Sequence, residues 1–193
     1  MLSQNRIIEK LKDKSENFTD KGEYNTPLAP GYLVTRPKLE DLNILNPEEQ
    51  KYYRSAIGSL MYLVRLSKPE LSNPVRELSK VMDRGTIKHL KALKRMVKYV
   101  ILNDKRGMNI KPNENIPWEI EVFADSDFCG DRESRKSITG YIILLNKIPL
   151  SWKSEAQNNV SLSSAEAEYV AVSEGVRETK FVADLLDSIN MEY

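Results

Sequence analysis

Glu119-Ile120-Glu121-Val122-Phe123-Ala124-Asp125 is where the hydrophobic period of this 193-residue chain changes. Ile120, Val122 and Ala124 alternate with Glu119, Glu121, Phe123 and Asp125. That period of two predicts a strand. A charged turn, 126–137, leads to a second strand at about 138–145, rich in Ile and Leu. Asn146-Lys147 makes the next turn, and a third strand covers about 149–154, with Trp152. Three strands joined by short turns predict an antiparallel meander. A long helix over about 164–189 follows.

Upstream of the switch the signal is helical. Asn46 caps a helix opened by Pro47, with Glu48 and Glu49 in the first turn, where the helix dipole favours anions. Tyr53, Ile57, Leu60, Met61 and Val64 form its apolar stripe, and Pro69 ends it. A second helix covers about 71–83 before Gly85. A third covers about 86–102, with Ile87, Leu90, Leu93, Val97, Val100 and Ile101 on one face. Its other face carries Lys88, Lys91, Lys94, Arg95 and Lys98. Such a face is either a solvated surface or one that tracks phosphates. Residues 4–17 read as a short polar helix and 25–31 as a loop. Three segments result: a poorly defined 1–46, a helical 47–115 ending in a polar linker from 103, and an α+β segment, 116–193.

The net charge of +1 hides an asymmetry: residues 1–115 carry 22 Lys+Arg against 14 Asp+Glu, and residues 116–193 carry 7 against 14. A basic half suits an anionic partner and an acidic half suits a cation. The single Cys129 excludes an internal disulfide framework and a Cys-rich zinc site, and the single His89 excludes multi-His metal sites. Cys129 reads as a semi-buried filler and His89 as a helix-surface or interface residue. The longest apolar runs, such as Tyr141 to Leu145, fall far short of the roughly 20 residues of a membrane span. The first 25 residues are charged throughout and do not read as a secretory signal.

Two carboxylates stand out. Asp125 ends the first strand. With Ser163 as cap of the last helix, Glu166 completes a Ser-x-x-Glu capping box near the Ser163 amide. Glu168 has no such task. At 100° per residue it aligns with Val172, Val176, Ala183 and Leu186, so it is expected to point toward the sheet. A carboxylate aimed at a core is costly unless paired or bound to a cation. Convergence of Asp125 and Glu168 suits Mg²⁺ or Mn²⁺ and phosphoryl chemistry. The alternative is that Asp125 only starts a turn and Glu168 extends to solvent. Asp125-Ser126-Asp127 also matches the D-x-D of nucleotide-sugar transferases, but no Rossmann-like unit accompanies it.

At these residues the chain resembles a known family. Tyr53-Arg-Ser-Ala-Ile-Gly-Ser-Leu-Met-Tyr-Leu63 is similar to the segment that follows the reverse transcriptase in Pol polyproteins of copia-type LTR retrotransposons. Pro69 to Met82 and His89 to Tyr99 resemble the same connection region. Ala124-Asp-Ser-Asp-Phe-Cys-Gly-Asp131, Arg135-Lys-Ser-Ile-Thr-Gly-Tyr141, Ser151-Trp-Lys-Ser154 and Leu162-Ser-Ser-Ala-Glu-Ala-Glu-Tyr169 resemble that family's ribonuclease H domain, in order. The resemblance covers about 50–189 closely and 1–49 loosely.

The resemblance implies a ribonuclease H-like half-domain over 116–193, of α/β (α+β) class. It implies cleavage of RNA in RNA–DNA hybrids by two-metal hydrolysis, with Asp125 and Glu168 as catalytic residues and ligands of Mg²⁺ or Mn²⁺. A third aspartate, borne in the family by a fourth strand, has no match before Tyr193, and Asp187 is still helical. The polymerase's Tyr-x-Asp-Asp motif has no match either. The expectation is a fragment with an incomplete site, weak metal binding and no activity alone. Implied partners are an RNA–DNA hybrid or other nucleic acid, held by Lys88, Lys91, Lys94, Arg95 and Lys98, and the rest of the Pol polyprotein, with no membrane. The implied setting is intracellular, in a cytoplasmic virus-like particle or the nucleus. The competing expectation is a non-catalytic, nucleic-acid-binding or vestigial protein.

Overall fold

The computed structural model describes residues 4–15, 22, 24–38, 40–111 and 118–190. Most of the linker's end, 112–117, lies outside the described residues, as does the end of the first expected helix. The chain divides into two compact units, Met1–Met108 and Asn109–Tyr193.

The first unit is helical. It holds α1 (Asn5–Asp13), α2 (Pro47–Leu66), α3 (Ser72–Ser79) and α4 (Ile87–Leu102). Asn46 caps α2 as its chemistry requires: its side chain accepts from the Glu49 amide at 2.8 Å, and Glu49 accepts from the Asn46 amide at 3.1 Å. Tyr53, Ile57, Leu60 and Leu63 form the buried stripe of α2, while Met61 is 49% exposed. Pro69 closes α2 and opens a single 3₁₀ turn, Pro69–Leu71, so α3 is shorter than the 71–83 expected.

Residues between α1 and α2 lack periodicity, yet Leu28, Val34 and Leu45 are buried in the same core as Ile8 and Leu11 of α1 and Leu93, Met96 and Val97 of α4. Polar anchors hold this irregular stretch. Glu77, 1% exposed, accepts from the Val34 amide at 3.1 Å and pairs with Arg76 and Lys80 at 2.8 and 2.9 Å. Residues 43–45 pair with 85–87 through backbone bonds of 3.0 Å. A side chain on Gly85 would bring its Cβ within 2.9 Å of Leu45 Cδ1, so the buried Leu45 side chain would have to shift to admit one.

Lys68, 2% exposed, donates to the Asn103 and Arg106 carbonyls at 3.1 and 2.9 Å, beyond the C-terminus of α4. Burial lowers its pKa. His89 is 5% exposed rather than on the surface. Its Nδ1 accepts from the Thr86 amide at 3.2 Å, and it fills the N3 place of a capping box that glutamate or glutamine usually takes. Helix capping thus explains a burial that the apolar pattern did not reveal.

The second unit is a sheet under one helix. Strands β1 (Ile120–Asp127), β2 (Ile138–Leu145) and β3 (Ile148–Ala156) form the antiparallel order β1-β2-β3. Asn146 and Lys147, at φ 52° and 65°, turn β2 into β3 through two left-handed residues, as tight hairpins demand. Helix α5 (Ser164–Ser188) packs on the sheet. The chain is thus α/β, with five α-helices and one three-stranded antiparallel sheet among the described residues.

Of the expected stripe, α5 buries Leu186 but leaves Val172 and Val176 exposed. Ala167, Ala171, Gly175, Val182 and Leu186 are buried, while Val172 and Val176 are 48% and 55% exposed. The buried face is turned by about one residue, roughly 100°. The reason is close approach. A Cβ on Gly175 would lie 3.2 Å from Val122 Cγ2 and 3.4 Å from Ala124 Cβ, so the small residues let the helix backbone sit down on β1. A stripe of valines cannot come that near.

Candidate functional site

The Gly175 contacts show that Val122 and Ala124 lie on the pleat of β1 that faces α5. Asp125 alternates with them, occupies the other pleat and is exposed. Its cross-strand neighbour is Gly140, which brings no side chain against it. Ser126, the next residue, returns to the α5 side opposite Thr139. The Ser126 hydroxyl is buried and has no hydrogen-bond partner.

Helix α5 is held at that end of the sheet by Gln157, a residue the sequence reading passed over. Gln157 Nε2 donates to Thr139 Oγ1 at 3.2 Å and to the Ala167 carbonyl at 2.9 Å, while its Oε1 accepts from Ser161 Oγ at 2.9 Å. All three side chains are buried. The bridge ties the first turns of α5 to Thr139, and so to the Asp125–Ser126 end of β1. Glu168 directly follows Ala167 and lies two turns before Gly175, at the margin of the sheet-facing side, where it is half-buried. Asp125 and Glu168 therefore share one end of the β1–α5 layer, with Asp125 on the alternate pleat. Neither carboxylate has a hydrogen bond or ion pair among the described residues. The sequence carries no signal that sets Gln157 apart, because it sits in a polar run with Asn158, Asn159 and Ser161.

The other acids nearby have structural tasks. Ser163 Oγ accepts from the Glu166 amide at 3.1 Å, and the Glu166 carboxylate accepts from the Leu162 amide at 2.7 Å, one residue before the amide expected. Asp131 Oδ1 accepts from the Glu133 and Ser134 amides at 3.1 and 3.4 Å and closes the loop after β1. Asp127 packs where a side chain on Gly130 would otherwise stand. Cys129, half-buried, takes a left-handed φ of 53° and donates its amide to Ser137 Oγ at 3.2 Å. On the opposite flank of α5, Glu174 pairs with Lys153 at 3.3 Å and Glu178 accepts from Ser151 at 3.1 Å, which places that flank over β3.

In the first unit, Lys88, Lys91, Lys94, Arg95 and Lys98 share one side of α4 and line a groove of about 490 Å³. Its other wall comes from Tyr24, Leu28, Ala29 and Tyr32. Arg95 builds the groove: its guanidinium stacks 4.3 Å above the Tyr24 ring and donates to Thr26 Oγ1 at 3.1 Å. Lys98 Nζ lies 5.9 Å from the same ring. Gly31, at φ 68°, turns the chain between Ala29 and Tyr32. Burial and the nearby Glu77 raise the pKa of Tyr32, whose hydroxyl is buried without a hydrogen-bond partner.

No helix among the described residues is long and apolar enough to cross a membrane. No protein-family model matches the chain, and no solved structure matches it. Curated proteins do. The chain is 33% identical over 98% of its length to the Retrovirus-related Pol polyprotein from transposon RE1 of Arabidopsis thaliana. It is 29% identical over 98% of its length to that from transposon TNT 1-94 of Nicotiana tabacum. It spans 12% and 14% of those two polyproteins. It is also 36% identical over 65% of its length to Secreted RxLR effector protein 161 of Plasmopara viticola, 87% of which it covers. The near-complete alignment with transposon polyproteins agrees with the motifs of both units, and the chain belongs to the family of copia-type retrotransposon Pol polyproteins.

Proposed function

We propose that this chain is a piece of a retrotransposon Pol polyprotein whose second unit supplies part of a ribonuclease H site. That site hydrolyses the RNA strand of RNA–DNA hybrids. The observation that supports the reading is the placement of the motif-matched Asp125 in β1 and Glu168 in the first turns of α5, which Gln157 ties to the same end of the sheet. Two carboxylates with unspent oxygens suit a hard cation such as Mg²⁺ or Mn²⁺, completed by water and a substrate phosphate. By their chemistry the two carboxylates suit such an ion, but no group of three or more His, Cys, Asp or Glu residues that could hold a metal occurs among the described residues, so a two-ion clamp would need further ligands.

When bound, the ion polarises a phosphoryl oxygen. Asp125 and Glu168 would hold that ion, and Gln157 holds the helix turn that carries Glu168. The basic face of α4 holds the nucleic acid through its phosphates. With too few ligands, misplacement by about 1 Å costs on the order of 100-fold in rate.

The test is hybrid cleavage with Mg²⁺ by the 193-residue chain, alone and joined to the segment that follows in a copia-type relative. No cleavage is expected alone. Cleavage is expected with the added segment, abolished by Asp125→Asn or Glu168→Gln and retained with Glu166→Gln. Robust cleavage by the chain alone, or an inert joined chain, overturns the reading in favour of a different acid set or a non-catalytic role.

A further inference from the structure

The groove on α4 combines two features that a phosphate-tracking face does not need. Its lining includes the apolar Leu28, Ala29 and Ala92 and the aromatic Tyr24 and Tyr32. Its rim is cationic along one helix side, from Lys88 to Lys98. That rim is about 15 Å long at 1.5 Å per residue, enough to meet more than one phosphate of a strand. A volume of about 490 Å³ lies within the roughly 300–1,000 Å³ range of small-ligand pockets.

A duplex presents phosphates to such a surface but keeps its bases stacked inside. An unpaired strand offers both the anion for the rim and a flat apolar ring for the cavity. Aromatic stacking within a positive groove is how proteins hold single strands without reading sequence.

We propose that this groove binds single-stranded nucleic acid by packing one unpaired base against its apolar and aromatic wall of Tyr24, Leu28 and Tyr32, while Lys88, Lys91 and Lys94 hold the flanking phosphates. The inference rests on the reading of α4 as a nucleic-acid contact and assigns that contact to an unpaired strand instead of a hybrid duplex. Arg95 is a positioning residue here, since it stacks on Tyr24 and holds Thr26.

Fluorescence anisotropy with three labelled probes tests it: a thymidine 12-mer, the same backbone with abasic units, and a 12-base-pair RNA–DNA hybrid. The full chain should bind the thymidine strand about tenfold more tightly than the abasic strand, the scale of one stacked base. Ala29 is exposed, so Ala29→Trp fills the groove from its outer wall without disturbing the core. That variant should lose the tenfold preference while keeping its affinity for the abasic strand and a native circular dichroism spectrum. Lys88→Ala/Lys91→Ala should weaken both strands and flatten their salt dependence. Equal affinity for thymidine and abasic strands, with salt dependence intact, overturns the base pocket and leaves the phosphate contact standing. Absence of salt-dependent binding to every probe overturns both.

Discussion

Gln157 shows how much one buried side chain can organise. Its amide bridges the sheet, the loop before α5 and the first turn of α5, with both amide atoms satisfied. Gln157→Leu keeps the volume and leaves the Thr139 hydroxyl, the Ala167 carbonyl and the Ser161 hydroxyl without that partner. The expected cost is about 1–3 kcal/mol, read as a lower urea midpoint with unchanged slope. His89 makes a different forecast. Burial, and then Lys88, lower its pKa below 6.5, so the folded chain resists protonation. The unfolded chain binds the proton first as pH falls through 6.5, so the stabilisation present above that value is lost below it. Urea midpoints should therefore drop between about pH 7.5 and 5.5. His89→Gln keeps a capping acceptor without a titration and should show a smaller drop; an equal drop would assign the effect elsewhere.

Among the elements, α5 is the most instructive. Counting apolar residues selects its Val172–Val176 side, and the chain buries its Ala167–Ala171–Gly175 side instead. Dispersion and burial both grow as backbone approaches backbone, and only the small face permits that approach. Gly175→Leu should then push α5 off β1 and cost about 1–3 kcal/mol in spite of leucine's better helix propensity, measured by thermal or urea unfolding. An unchanged or raised midpoint would show that the helix is free to lift. In α4, Leu90, Leu93, Val97 and Val100 of the expected apolar face enter the core while Ile87 stays 44% exposed, and the lysine side lines the groove.

At the scale of the whole molecule, the chain is two units, each with its own reason to fold. The first has a buried core that draws on α1, the irregular 24–45 stretch, α2, α3 and α4. Residues 1–108 expressed alone should therefore unfold in one cooperative urea transition, monitored by tyrosine fluorescence and circular dichroism. A gradual, non-cooperative loss of signal would show that the second unit is needed for that core to form.

The sequence by itself determined the features that depend on neighbours along the chain. The meander, the Asn146-Lys147 turn, the Asn46 and Ser163 caps and the starts of α2, α4 and α5 all rest on local period and local hydrogen bonding, which a few residues specify. It also marked Asp125, Glu168 and the lysine face as chemically unusual. Tertiary structure alone decided the rest. It chose the face of α5, buried His89, drew Leu28 into the core and anchored Val34 there through Glu77. It closed the 43–45 and 85–87 backbone pairs, and folded Tyr24 and Tyr32 over α4 to make a groove out of a charged surface. Each of these depends on which distant backbone comes close enough to be packed against. That proximity joins residues tens of positions apart and leaves no period in the sequence to read.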